Sequence, residues 1–173
     1  MKKTYLFLAS LLVSLCSFAE WTKPATPKGQ DLSVGTECYL FNTEAEGFLL
    51  GANDWGTRAS YSATLGHKVI IENGTVDGSY YITNYVLSGW MANQWGYMFI
   101  EPDNLNSVYV DNTKDGKKNN QFTISFMDGT SNNECRIGLS PANAEHNNEY
   151  LYLGGLPEKN DTRLYFTEEG QLN

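Results

Sequence analysis

The sequence contains few of the residues from which most catalytic and metal sites are built. It has two histidines, His67 and His146, and neither has a cysteine or a second histidine at a spacing typical of metal ligands. No phosphate-binding loop is present, and no serine, histidine and acid occur in the context of a catalytic triad. We therefore expect a non-enzymatic protein with no catalytic residues, no metal and no cofactor.

Positive charge is also scarce. Lysine and arginine total 12 against 20 acidic residues, which gives a formal net charge of −8 at pH 7. Nucleic acids and anionic membrane surfaces attract positively charged proteins, so we expect neither as a partner. The acidity is typical of a protein that stays soluble through its own charge.

The one long apolar run lies at the amino terminus and has the parts of a secretory signal peptide. Lys2 and Lys3 supply the basic start, residues 5–15 are almost wholly apolar, and Ser17-Phe18-Ala19 places small residues where signal peptidase reads. The apolar run is too short to span a membrane as a helix. We expect cleavage after Ala19 and a mature protein that is secreted, periplasmic or on the cell surface.

Long amphipathic helical patterns are absent as well, and the remaining composition favours strands. The chain has 11 Tyr, 8 Phe, 4 Trp and 16 Gly. Short aromatic and β-branched runs alternate with Gly, Asn and Asp; Asn73-Gly74 and Asp77-Gly78, for example, favour tight turns. This pattern predicts an all-β fold, a sandwich or a barrel.

The sequence also resembles itself. Ala52-Asn53-Asp54-Trp55-Gly56 is echoed by Ala92-Asn93-Gln94-Trp95-Gly96, and Tyr39–Asn42 is matched by Tyr81–Asn84. Glu134-Cys135 repeats Glu37-Cys38 at the start of a third segment. Such self-similarity indicates repeated structural units.

We divide the chain into a signal peptide, an extended lead-in and three repeats of about four strands, at residues 1–19, 20–33, about 34–78, 79–133 and 134–173. The second repeat contains an insertion around Trp90–Asn106. The third repeat has no fourth strand, so either the chain is part of a longer protein or the lead-in supplies that strand.

Three units of four strands each are typical of a β-trefoil. The run from Tyr39 to Ser60 resembles the ricin-type β-trefoil modules of secreted bacterial proteins, and so does Tyr150–Gly154, where those modules carry a Tyr-Leu-Gly strand end. The resemblance covers about residues 34–173. It implies a non-catalytic β-trefoil that binds carbohydrate through shallow pockets. The Gln-x-Trp signature of these modules is absent, because Gln121 is followed by Phe122 and Thr123.

An aromatic face beside amide or carboxylate groups is what a sugar ring requires, and seven residues offer it. The candidate ligand-binding residues are Asn53, Asp54, Trp55, Trp90, Asn93, Trp95 and Tyr97. The alternative for Trp55 and Trp95 is packing beneath a turn. Trp90, Tyr97 and Tyr85 lie in the insertion and break the repeat symmetry, which favours a specific role for them.

Two further function classes stay open. One is a protein-binding trefoil, such as a protease inhibitor that presents the inserted loop, and the other is a purely structural module. The sequence does not indicate an oligomeric state.

Cys38 and Cys135 are the cysteines that remain after cleavage. Export permits a disulfide between them, which would close a long loop and stabilise the fold by about 4–5 kcal/mol in the chain-entropy model. They lie at equivalent places in the first and third repeats. If that separates their Cα atoms by more than about 7 Å, a disulfide cannot form. A disulfide and two buried thiols are both open.

Overall fold

A computed structural model describes residues 34–42, 45–54, 58–101, 104–114, 119–126, 135–145, 152–156 and 161–167. Within these ranges the chain is all-β, with no helix, so the expected fold class is confirmed at that level. Accordingly, no helix that is long and apolar enough to cross a membrane occurs in these ranges.

The strands are β1 (Glu37–Cys38), β2 (Phe41–Asn42), β3 (Gly47–Asp54), β4 (Arg58–Ser62), β5 (Val69–Asn73), β6 (Tyr80–Val86), β7 (Gln94–Glu101), β8 (Asn104–Asp111), β9 (Phe122–Phe126), β10 (Cys135–Leu139), β11 (Tyr152–Leu156) and β12 (Asp161–Thr167).

All described pairings are antiparallel. Ten strands follow the order β1-β5-β6-β7-β8-β4-β12-β11-β10-β9, and β3 joins this path through β4 and carries β2 on its other side. A further pairing, at Tyr80 opposite Phe122, connects β6 to β9 and so links the end of the path back to its third strand.

Most of the pairings join strands that are close together in the sequence. In the first segment β1 pairs with β5, β2 with β3, and β3 with β4. In the second, β6 pairs with both β9 and β7, and β7 pairs with β8. In the third, β10 pairs with β11 and β11 with β12. Adjacent segments are joined through β5–β6 and β9–β10.

The echoed pentapeptides do not occupy equivalent places in this scheme. Residues 52–54 end β3, whereas Ala92 and Asn93 precede β7 and Gln94 begins it. The connections explain the offset, because residues 87–93 join β6 to β7 while only residues 43–46 join β2 to β3. The two pentapeptides are therefore similar in sequence only: the described part of the first ends β3, whereas the second spans the start of β7.

The predicted insertion is correspondingly smaller than expected. Trp90–Ala92 is part of the turn at residues 87–93, and most of the remaining segment forms the paired strands β7 and β8. The extra length of the second segment thus lies in this turn rather than in a long loop up to Asn106.

The core is built largely from alternate residues of the strands. In β7, Gly96, Met98 and Ile100 are buried on one face, and β5, β6 and β8 contribute their alternate residues to the same cluster. Its fully or nearly buried members are Leu49, Ala59, Tyr61, Val69, Ile71, Ile82, Val86, Met91, Met98, Ile100, Val108, Val110, Phe122 and Leu139. Burial of each large side chain contributes about 1.5–3 kcal/mol. The other face of these strands carries the candidate site.

Candidate functional site

A row of three side chains lies on the face away from the core, the first just before β5 and the others on β6 and β7. Tyr85 lies directly opposite Trp95 in the β6–β7 ladder, and their rings meet edge to face with centroids 5.4 Å apart. The Tyr85 amide donates a hydrogen bond to the Lys68 carbonyl at 2.8 Å, which places Lys68 beside Tyr85. Because neighbouring strands lie about 4.8 Å apart, the row spans roughly 10 Å.

The turn at residues 87–93 presents a further aromatic side chain at the same end of the β6–β7 hairpin. Trp90 is 56% exposed, the highest value among the exposed large apolar residues described. The Asn93 amide closes the turn by donating to the Val86 carbonyl at 2.7 Å, and Met91 inserts fully into the core. Trp90 is thus held outward by a turn that is fixed on both sides.

An ion pair lies beside this row. The Lys68 Nζ is 2.6 Å from Glu37 Oε2, and the side chains are 47% and 51% exposed. The pKa of Lys68 is raised, chiefly by this hydrogen bond and by the Glu37 charge, with smaller contributions from the charges of Tyr39 and Tyr85. Both tyrosine hydroxyls therefore lie within electrostatic range of Lys68.

We call Tyr39, Tyr85, Trp90 and Trp95 the aromatic patch. Tyr39 is 43% exposed, and Tyr85 and Trp95 are half-buried. The patch combines partly exposed aromatic rings with the donor of Lys68 and the acceptor of Glu37.

Tyr97 projects from the same face of β7 as Trp95 but belongs to a different cluster. The Lys114 Nζ lies 3.9 Å from the centroid of the Tyr81 ring and 5.6 Å from that of Tyr97. It also pairs with Glu72 at 3.4 Å. The structure therefore groups Tyr97 with a cation of the protein itself, while Trp95 is grouped with Tyr85.

The other sequence candidates are distributed as follows. Asn93 lies in the turn with a φ of 63°, in the left-handed region that asparagine tolerates. The backbones of Asn53 and Asp54 end β3, their side chains are outside the description, and Trp55 lies outside the described residues. The structure brings Trp90, Asn93 and Trp95 to one end of the β6–β7 hairpin.

Sequence reasoning missed Glu37, Tyr39 and Lys68. Lys68 precedes a strand of alternating residues, which predicts that it faces away from the core. No sequence signal identifies Glu37 as its partner, because the two residues meet only through the pairing of β1 with β5.

The described residues include no group of three or more His, Cys, Asp or Glu side chains that could hold a metal ion. Cys38 and Cys135 are half-buried and are not bonded to each other in the structure. Burial raises the pKa of both, and the Cys38 charge helps to raise the pKa of Cys135 to about 11.

Comparison with protein-family models, with curated proteins and with solved structures returned no match for this chain. The chemistry of the patch is therefore the main guide to function. Partly exposed aromatic faces beside a fixed donor and a fixed acceptor suit a ligand that has a flat apolar face edged with hydroxyl groups.

Proposed function

We propose that this chain is a secreted, non-catalytic module with a β-trefoil fold that binds carbohydrate at the aromatic patch. The predicted signal peptide supports the secreted location, and the resemblance of residues 34–173 to ricin-type modules supports the fold and the ligand class. The fold and the ligand site have further support in the described residues.

The strand pairings of the three segments support the β-trefoil. Each unit of that fold pairs its first strand with its second and its fourth. In the first segment the role of the first strand is divided: β1 pairs with β5, and β2 pairs with β3. In the second segment β6 makes both pairings, with β7 and with β9. β10, β11 and β12 follow the same hairpin order in the third segment.

The observation that carries the proposed function is the exposure of Trp90 on the turn that joins the strand of Tyr85 to the strand of Trp95. A fixed turn that holds a tryptophan 56% exposed leaves a large apolar surface in water. Exposed apolar surface indicates an interaction site when it is contiguous, and Tyr85 and Trp95 add partly exposed aromatic surface at the same end of the β6–β7 hairpin. Sugar rings match it, because their C–H faces stack on aromatic rings while their hydroxyls reach polar neighbours.

The first test is a glycan-array screen of the mature protein with Trp90→Ala as the main variant. We expect a sugar signal that this variant weakens at least tenfold, or about 1.4 kcal/mol, because it removes the exposed stacking surface. Trp95→Ala should weaken binding too, but Trp95 is half-buried, so its thermal melt must be compared first.

Val76→Ala is the matched control. Val76 is 53% exposed and lies in the turn at the opposite end of the β5–β6 hairpin from Lys68 and Tyr85. Its replacement should leave the sugar signal unchanged. An array that stays silent for a well-folded sample would contradict the proposal.

A protein-binding module is the second candidate, and the turn at residues 87–93 favours it. Leu87 and Trp90 are 45% and 56% exposed on this turn, as they would be on a short loop presented to a partner protein. Leu87→Ala discriminates between the two functions. It should reduce capture of a protein partner and leave sugar binding intact.

A further inference from the structure

We infer that the Lys68–Glu37 ion pair is the polar half of the sugar site and that it selects a neutral sugar with two adjacent free hydroxyl groups. The inference rests on the proposed carbohydrate-binding function and assigns the specificity of the same site. Neither residue belongs to the set that the sequence pattern indicated.

The strand register places the ion pair on the same outer face of the sheet as Tyr85 and Trp95. Glu37 is opposite Ile70 and Cys38 is opposite Val69. Val69 is in the core, so Glu37, Ile70 and Lys68 belong to the outer face. Lys68 is then the diagonal cross-strand neighbour of Glu37, a separation that long side chains bridge readily.

The same register brings the pair to the aromatic rings. If the β1–β5 register is continued by one residue beyond the Cys38–Val69 pair, Tyr39 lies opposite Lys68. This agrees with the contribution of Tyr39 to the raised pKa of Lys68. Tyr85 lies on the other side of Lys68, through the 2.8 Å bond to the Lys68 carbonyl, and Trp95 lies beyond Tyr85. A sugar that contacts the Tyr85 side chain therefore lies within reach of the ion pair.

The two charged groups are complementary to a vicinal diol. An ammonium group only donates hydrogen bonds, and an ionised carboxylate only accepts them. One hydroxyl can accept from Lys68 Nζ while its neighbour donates to Glu37. Both charged groups are about half exposed and so retain hydrogen-bonding capacity beyond their mutual 2.6 Å contact.

Charge argues for a neutral ligand. A carboxylate or sulfate on the sugar would gain attraction from Lys68 but would meet the like charge of Glu37, which already lies 2.6 Å from the ammonium. The net charge of −8 adds a further repulsive field. The site is therefore expected to discriminate against uronic acids.

The test titrates the mature protein with methyl glycosides of glucose, galactose and mannose and with the uronic acid counterpart of each, followed by NMR. For the best neutral glycoside we expect at least tenfold tighter binding than for its uronate. Glu37→Gln should weaken the neutral glycoside by about tenfold and bring the uronate closer to it, because Lys68 is then left without its carboxylate partner. Lys68→Met should weaken the neutral glycoside without helping the uronate.

Glu72→Gln is the matched control. Glu72 forms the second ion pair of the same outer face, with Lys114 at 3.4 Å, but beside Tyr81 and Tyr97 rather than the aromatic patch. Its replacement should leave both affinities unchanged. Thermal melts of all the variants establish that they are folded.

The outcomes separate this inference from the proposed function. If Trp90→Ala weakens the neutral glycoside but Glu37→Gln behaves like Glu72→Gln, the sugar-binding function stands and the assigned role of the ion pair is wrong. A uronate that binds wild-type protein as tightly as its neutral partner also overturns the inference. If no glycoside binds and the glycan array is silent, the function and the inference fall together.

Discussion

Two polar side chains, those of His67 and Asn84, are buried with polar atoms that lack hydrogen-bond partners. They are 1% and 0% exposed, and His67 Nδ1 and both amide atoms of Asn84 have no hydrogen-bond partner among the described residues. Both lie against Gly51: the His67 ring bonds its backbone, and a Cβ added there would be 2.6 Å from the Asn84 Cβ. Each buried polar atom without a partner costs about 1–3 kcal/mol.

His67 should make stability depend on pH. Burial lowers its pKa, and the bond to the Gly51 backbone only partly opposes that effect. The unfolded chain takes up a proton below about pH 6.5 while the folded chain resists it, so the stability is present above that pH and is lost as the pH falls through the folded pKa. We expect urea unfolding to show a larger drop in stability between about pH 7.5 and pH 5 for wild type than for His67→Gln.

Carboxylates titrate over the same pH range in both proteins. The difference between their two losses of unfolding free energy is therefore due to His67. Equal drops in wild type and His67→Gln would show that the histidine is not held neutral by burial.

Cys135 should be a slow nucleophile in the folded protein. A thiol with a pKa of about 11 is almost wholly protonated at pH 8, and the thiolate is the reactive form. The higher nucleophilicity of a more basic thiolate offsets part of this, which leaves a decrease of about tenfold or more relative to an unperturbed thiol. Iodoacetamide labelling followed by mass spectrometry, with and without denaturant, measures the ratio.

Cys38→Ser provides the internal comparison. Burial also raises the pKa of Cys38, so its thiol is almost wholly uncharged at pH 8, and labelling of Cys135 should change little in that variant. Equal labelling rates for the native and the denatured protein would contradict the burial of the thiol.

At the scale of elements, the turn at residues 87–93 determines where Trp90 is presented. Asn93 adopts a φ of 63° in this turn, and Gly89 a φ of 74°. Glycine accepts this geometry freely and asparagine accepts it better than most residues, whereas a left-handed conformation costs other residues roughly 1–2 kcal/mol. The structure therefore gives Asn93 a conformational role, where the sequence indicated a ligand-binding one.

Two substitutions separate these roles. Asn93→Gly should preserve both the thermal melt and sugar binding, while Asn93→Ala should cost about 1 kcal/mol of unfolding free energy. If Asn93→Gly abolishes sugar binding without changing the melt, then the Asn93 amide contacts the ligand and its role is not conformational alone.

Some strands were predictable because their sequences carry local signals. The short runs Arg58–Ser62 and Gln121–Phe126 each predict a strand, and the structure has β4 at Arg58–Ser62 and β9 at Phe122–Phe126. There Phe122 is fully buried while Ser125 is exposed. Periodicity and turn residues act within a few positions, so they report on single strands reliably.

At the scale of the whole molecule, the sequence predicts the all-β class but not the relation between its parts. The echoed pentapeptides indicate repeated units, yet residues 52–54 end β3 whereas Gln94 begins β7, because the turn before β7 is longer. Letter similarity carries no information on register. The Lys68–Glu37 contact was likewise hidden, because it depends on two strands whose residues are far apart along the chain.

The aromatic patch has the same long-range origin. Tyr39 comes from the segment between β1 and β2, while Tyr85, Trp90 and Trp95 come from β6, the turn and β7. Only the pairing of β1 with β5, and of β5 with β6, brings these parts to one surface. The proposed site therefore requires the fold and cannot be reduced to a linear motif.

An NMR titration that follows the tryptophan indole N–H signals tests the account most directly. The chain has 4 Trp, and the signals can be assigned by single substitutions. On addition of a neutral sugar that scores on the glycan array, the account predicts saturable shifts at Trp90 and Trp95, both lost in Trp90→Ala. Shifts confined to Trp55, or no shift at saturating sugar, would contradict the assignment of sugar binding to the aromatic patch.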